Sequence, residues 1–213
     1  MNVFFINLIN RSDRLSIFLK NCKSESINPK RIEAVNGWEL DRKECNTIMY
    51  DGRSLGRGEI GCYLSHYKCY EKKIKNKDII IFEDDAKPCE HFWWKLHEAK
   101  KHIPDDWDVI LLGTTTNYHK KYRHLGKFEK INEYCYKVNS DVYGLQGYVV
   151  NDKACEDLID CKYPIDSPID VKITNMGLNV YLLTEWLVDA IKLGSDTQNK
   201  YNKKYESKKI LFN

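Results

Sequence analysis

The sequence predicts a three-layer α/β/α domain built on a mostly parallel sheet. Three observations predict it. Short, wholly apolar runs recur along the chain, as expected of strands covered on both faces. Segments with helical spacing of apolar residues separate these runs. Polar residues suited to chemistry follow two of the runs at their carboxyl ends, where such sheets bind ligands.

The elements follow in order. Residues 3–9 form the first strand, apolar except for Asn7, and lead into a helix carrying Leu15, Phe18, Leu19 and Cys22, with Asn10 or Ser12 as its cap. Residues 32–35 are a second strand, ended by the turn dipeptide Asn36-Gly37. Residues 39–57 read as polar and irregular. A helix opens at Gly58 and runs to about Ile74, with Ile60, Leu64, Tyr67 and Ile74 as core positions. Residues 78–82 are a central strand with Glu83-Asp84-Asp85 at its end. A helix with Phe92, Leu96 and Ala99 and a strand over 107–113 come next. Residues 114–133 lack an apolar period and read as a long basic loop. Strands are expected over 134–139, 143–150 and 179–184, the last being the final strand. Helices are expected over 152–161, capped by Asn151 or Asp152, and over 168–176, stopped by Gly177. Residues 1–195 make one domain, followed by a Lys- and Tyr-rich tail over 196–213.

Composition narrows the function. Among 213 residues, 42% are apolar and the aromatics include 14 Tyr, enough for a packed core and against global disorder. A net charge of +3 gives no reason to expect a nucleic-acid partner, and the basic tail supports peripheral membrane contact at most. No run approaches the ~18–20 apolar residues of a membrane span, and the start of the chain reads as a strand, not a signal peptide. With no retention signal at the other end, a cytoplasmic location is expected. Eight cysteines without a Cys-x-x-Cys pair read as free thiols in a reducing compartment. A metal site of Cys62, His66 and Cys69 on one helix face lacks a fourth ligand of suitable spacing and is set aside. Oligomeric state is not legible.

The two strand ends carry the chemistry. Asn7 to Arg14 and Glu83 to Asp85 fall on the same rim of a parallel sheet, one supplying cations and the other carboxylates. Arg11 and Arg14 share a helix face and suit a diphosphate. Consecutive acids after an apolar strand need a cation or hydrogen bonds, and Mn²⁺ or Mg²⁺ shared with substrate phosphates satisfies them. Gly58-x-x-Gly61 before a helix could let backbone N–H groups approach an anion, and Ser65 and His66 could face core or ligand.

These segments together resemble glycosyltransferase family 25, which includes lipooligosaccharide and procollagen galactosyltransferases. The blocks that carry the resemblance are Phe5-Ile6-Asn7-Leu8 with Arg11, Asp13 and Arg14; Ala34-Val35-Asn36-Gly37; Gly58-Glu59-Ile60-Gly61-Cys62-Tyr63-Leu64-Ser65-His66; and Ile81-Phe82-Glu83-Asp84-Asp85-Ala86. Weaker echoes are Gly144 to Val150, Pro164-Ile165-Asp166, and Ser195-Asp196 with Gln198. The resemblance implies a GT-A-like, Rossmann-like fold, a UDP-sugar donor, and inverting transfer of a hexose (galactose or glucose) to a saccharide or hydroxylated protein acceptor. Glu83 and Asp85 would hold the metal, in the place of an Asp-x-Asp motif. Asn7, Arg11, Arg14, Asn36, Gly58, Ser65, His66 and Asp84 would line the donor. The general base would be Asp166 or Asp170, with Asp166 favoured by the Pro-Ile-Asp echo; either could instead cap the following helix. The rival readings are a non-catalytic sugar-nucleotide-binding domain and a metal-dependent nuclease or phosphotransferase.

Overall fold

The computed structural model describes residues 1–52, 55–114, 127–191, 193, 194 and 196. One eight-stranded sheet forms the middle layer, in the order β2-β1-β3-β8-β5-β9-β7-β6. Its strands are β1 (Asn2–Asn7), β2 (Lys30–Glu33), β3 (Ile79–Glu83), β5 (Val109–Leu111), β6 (Phe128–Lys130), β7 (Cys135–Val138), β8 (Gly147–Val150) and β9 (Val180–Leu183). All run one way except β7 and β8, so the sheet is mostly parallel but mixed. β4 (Ala86–Pro88) and β10 (Val188–Ala190) form a separate antiparallel pair.

The alternation along the buried strands builds two cores. Phe4, Ile6, Ile79 and Ile81 point to one face, where α3 (Arg57–Tyr70), α5 (Asp152–Asp160) and α6 (Ile169–Asn175) add Tyr63, Tyr67, Leu158 and Ile173. Val3, Phe5, Ile80 and Phe82 point to the other, against Phe18 and Cys22 of α1 (Ser12–Ser24) and Phe92 and Leu96 of α4 (Phe92–Lys100). The Phe5 and Phe18 rings lie 4.7 Å apart, which fixes α1 on β1. That is the predicted three-layer α/β/α class in a single domain. Among the described residues no helix is long and apolar enough to cross a membrane. All eight cysteines are free.

Several local expectations are corrected. Residues 39–57 are not irregular: Asp41 caps α2 (Arg42–Ile48), accepting from Lys43 N at 2.7 Å, and the helix buries its own Cys45. Neither Asn10 nor Ser12 caps α1; its N-cap residue is Arg11 and no side chain bonds there. Leu19 stays exposed. Helix α3 stops at Tyr70, because Lys72 N and Lys73 N close back three residues onto Cys69 O and Tyr70 O. Ile74 is consequently exposed. The strand expected over 143–150 begins only at Gly147, since Gly144 turns the chain with φ +94°. Part of the expected long loop is strand β6, whose Phe128 is buried; 115–126 lie outside the described residues, as does the tail beyond Asp196. β9 is not the last strand, because β10 follows it. Neither Asp166 nor Asp170 is the N-cap of α6, a place held by Pro168.

Gly61 lets α3 lie directly on the turn after β2. A Cβ there would sit 2.5 Å from Gly37 N and 2.7 Å from Val35 O, both rigid backbone atoms. Gly61→Ala should therefore lower stability by about 1–3 kcal/mol, read as a lower urea midpoint with unchanged slope. An unchanged midpoint would mean that the helix does not bear on the turn.

Candidate functional site

A cavity of about 130 Å³ opens at the carboxyl ends of β1 and β3, walled by the turn after β2 and by α3 between Gly58 and His66. The rim predicted from sequence exists because β1 and β3 are parallel neighbours with Ile6 opposite Glu83. Asn7 and Asp84 leave those strands side by side. The Asn7 amide donates to Asp84 at 2.7 Å and to the Arg11 carbonyl at 3.1 Å, tying both strand ends to the start of α1.

Arg14 is buried on the inner face of α1 and pairs with three carboxylates. It meets Asp84 at 2.9 Å, Asp196 at 3.2 Å, and Asp85 through its other terminal nitrogen. Arg11 pairs with Asp13 at 3.0 Å and with Asp196, and donates to Leu193 O at 3.1 Å. Asp196 thus packs into the site, although the sequence places it at the start of the tail. Its carbonyl also accepts from the Trp38 indole at 3.2 Å.

Burial pushes the Asp84 carboxyl up, opposed by Arg14 and by the Asn7 amide. Asp85 is pushed further, to about 7, by burial first and then by the charge of Glu83, with Arg14 pulling the other way. Its Oδ1 is buried with no partner among the described residues. An orphaned carboxylate oxygen beside a second carboxylate is an oxygen-donor set suited to a hard divalent cation. Glu83 and Asp85 therefore fit the metal that the sequence reading gave them.

On the opposite wall, His66 is wholly buried. Its Nδ1 lies 2.9 Å from the Tyr148 hydroxyl, which is itself 2.7 Å from the Tyr70 hydroxyl, and its Nε2 lies 3.3 Å from Glu83 Oε1. Donor atoms of Cys62, His66 and Glu83 all fall within 4.8 Å of one another. Burial raises the Cys62 thiol well above its ordinary range, with Glu83, Asp170 and Asp85 adding to the effect. Cys69 stands apart, its thiol directed to Ser65 O.

The remaining expected donor residues divide by what they already bond. Asn36 lines the cavity and caps the short 3₁₀ turn Gly37–Glu39, accepting from Trp38 N at 3.2 Å. Gly58 lines it too, and its Cα would lie 3.1 Å from a Cβ on Gly37, so the pair keeps helix and turn in contact. Ser65 donates to Gly61 O at 2.6 Å and accepts from Val35 N at 2.8 Å, which leaves its hydroxyl holding backbone in place.

Asp166 and Asp170 separate. Burial would raise Asp166, but Lys172 at 3.0 Å and Ser167 hold it below the usual carboxylate range. Asp170 is more enclosed; burial raises it, against donation from Gly144 N at 3.1 Å and Val171 N at 2.9 Å. The charges of Glu83 and His66 reach it, but neither Asp166 nor Asp170 is among the residues that line the cavity. Asp166 already has a cation partner in Lys172, whereas Asp170 is held by two backbone N–H groups. Sequence reasoning missed Trp38, Cys62 as a cavity residue, and Tyr148. A lone Trp beside a turn dipeptide was the available signal for Trp38.

The raised Asp85 carboxyl gives a pH prediction. Unfolded, it ionises near pH ~4; folded and metal-free, it keeps its proton up to about 7. Folding therefore loses stability as pH rises through that window and carries the full penalty above it. Asp85→Asn should melt above the parent protein at pH 8, with the gap closing toward pH 4. A gap independent of pH would contradict the assignment.

The geometry can be set beside known proteins. The model of Glyco_transf_25, "Glycosyltransferase family 25 (LPS biosynthesis protein)", matches residues 1–173. Human procollagen galactosyltransferase 2 is 32% identical over 52% of this chain and 20% of its own length. Human inactive glycosyltransferase 25 family member 3 is 30% identical over 52% of this chain and 21% of its own. Zebrafish procollagen galactosyltransferase 1 is 25% identical over 84% of this chain and 32% of its own. The chain thus spans about a fifth to a third of the length of these curated relatives. A solved Drosophila β1,4-galactosyltransferase 7, in complex with manganese, UDP-Gal and xylobiose, aligns with 96% of this chain and 78% of its own at 12% identity and a TM-score of 0.47. On the match over residues 1–173, this chain belongs to glycosyltransferase family 25.

Proposed function

We propose that this domain transfers a hexose, galactose or glucose, from a UDP-sugar to a hydroxyl of a saccharide or hydroxylated protein, with inversion. One observation carries the reading. Arg14, Glu83 and Asp85 line the cavity at the ends of the adjacent parallel strands β1 and β3, and Arg11 stands beside it through its pair with Asp196. A nucleoside diphosphate linked to a sugar is the kind of ligand that needs both. The names of the relatives support the sugar and the acceptor classes, since two are procollagen galactosyltransferases and the family description refers to LPS biosynthesis.

Each residue has a role in this reading. Arg11 and Arg14, now paired with Asp196, supply positive charge for the diphosphate. Asn7 and Asp84 hold Arg14 and the strand ends in register. Asn36 and Trp38 border the nucleotide. Mn²⁺ or Mg²⁺ held by Glu83 and Asp85 would neutralise charge on the departing UDP. Asp170 takes the proton of the acceptor hydroxyl as that oxygen bonds to the anomeric carbon and the bond to UDP breaks. Burial keeps Asp170 basic enough for the task, whereas Asp166 is neutralised by Lys172.

A second reading, a domain that binds the donor without turnover, draws on the 30%-identical relative described as inactive. Donor hydrolysis separates the two without knowledge of the acceptor. UDP release should be measured across a panel of nucleotide sugars with and without Mn²⁺. The transferase reading expects metal-dependent release from a UDP-hexose, abolished by Asp85→Asn in a protein that still melts cooperatively. Binding without release from any donor would favour the non-catalytic reading.

The base makes a separate prediction. With a productive acceptor, Asp170→Asn should cut transfer by at least ~10²-fold while leaving donor affinity near the parent value. Asp166→Asn should change transfer little. Equal loss in both variants, or in neither, would remove Asp170 from this role.

A further inference from the structure

We propose that Cys62, His66 and Glu83 form a binding site for a thiophilic divalent cation of the zinc class. The three bring one sulfur, one imidazole nitrogen and one carboxylate oxygen together, the donor types that zinc takes in proteins. Cys62 and His66 are four residues apart on α3, so both side chains leave the same face of the helix. Glu83 ends β3 opposite them. All three border the cavity, so an ion has a route in and a fourth position is open to water or a ligand oxygen.

The spacing is already close to that of a ligated set. Tetrahedral zinc with bonds of ~2.0–2.3 Å places its ligand atoms roughly 3.3–3.8 Å apart. Here the three donor atoms lie within 4.8 Å, with His66 Nε2 only 3.3 Å from Glu83 Oε1. Small side-chain rotations close the remainder.

The surroundings hold the imidazole as a metal-bound histidine is held. A ligating histidine nearly always gives its other ring N–H to a fixed acceptor, which sets the tautomer. His66 is wholly buried and its Nδ1 faces the Tyr148 hydroxyl at 2.9 Å. Tyr148 can accept that proton while donating to Tyr70 at 2.7 Å, and this leaves the Nε2 lone pair aimed at the cavity. The neighbourhood is also acidic: Asp85 and Asp170 act on Cys62 along with Glu83. Binding releases the thiol proton to solvent and forms one sulfur–metal bond, so charge and atoms balance without another reactant.

This site differs in softness from the oxygen-donor pair of Glu83 and Asp85. Thiolate and imidazole select zinc over Mg²⁺ or Mn²⁺, while carboxylates suit the harder ions. Glu83 belongs to both sets, so the two cations compete for it. The assignment stands on these three side chains and does not depend on the donor reading.

The test uses cobalt as a spectroscopic substitute on reduced, chelator-treated protein. One equivalent of Co²⁺ should give a thiolate-to-cobalt charge-transfer band and tetrahedral d–d absorption, both removed by Zn²⁺. The band should be lost in Cys62→Ser and kept in Cys161→Ser, which alters an exposed thiol. Zinc-edge absorption of the unmutated protein covers the case in which Cys62→Ser fails to fold. It should report one sulfur at ~2.3 Å together with imidazole scattering. A parent protein without the charge-transfer band, a band undiminished in a folded Cys62→Ser, or a zinc shell of oxygen and nitrogen alone would overturn the proposal.

Discussion

One buried guanidinium organises the cavity. Arg14 faces Asp84 and Asp85 from the end of β3 and Asp196 from near the end of the described chain. Unpaired carboxylates in that position would each cost several kcal/mol of desolvation, so without a cation the strand could not end in three acids. Arg14 supplies that cation only because α1 is clamped to β1 by Phe18 against Phe5. The packing of the core between β1 and α1 therefore sets the electrostatics of the rim. The compensation is incomplete, since Asn7 Oδ1, Arg14 Nε and Asp85 Oδ1 remain buried without partners among the described residues. A site assembled for a ligand retains unused polar capacity of this kind.

The opposite wall depends on backbone contact. Gly37 and Gly61 let the turn after β2 and helix α3 meet without side chains between them. Ser65 then fastens Val35 N to the helix. The cavity is thereby bounded by rigid elements, as a site needs if its groups are to be held to within fractions of an ångström. The hydrogen bonds that join Tyr70, Tyr148 and His66 carry that rigidity from the core toward the rim.

Much of this was legible in the sequence, for identifiable reasons. Apolar runs marked β1, β3 and β5 because those strands are covered on both faces. Their neighbouring polar residues marked the rim because parallel strands place their carboxyl ends together. What failed was governed by contacts distant in sequence. β4 and β10 are three residues each and are strands only because they pair with each other. The antiparallel course of β8 between β3 and β5 has no local signature. In the site, the separation of Asp166 from Asp170 depends on where Lys172 reaches, and Asp196 looked like tail until its carboxylate met Arg11 and Arg14. The α2 helix could have been read from Asp41, a standard N-cap residue, but few apolar residues follow it.

The central claim is that the cavity at the ends of β1 and β3 receives the diphosphate of a UDP-sugar. Its most direct test is a crystal structure of the protein grown with UDP and Mn²⁺. The account predicts a diphosphate against Arg11 and Arg14, a cation on Asp85, and Asp196 moved off the arginines it now pairs with. UDP bound elsewhere on the domain, or an Arg14–Asp196 pair still intact at saturating nucleotide, would contradict it.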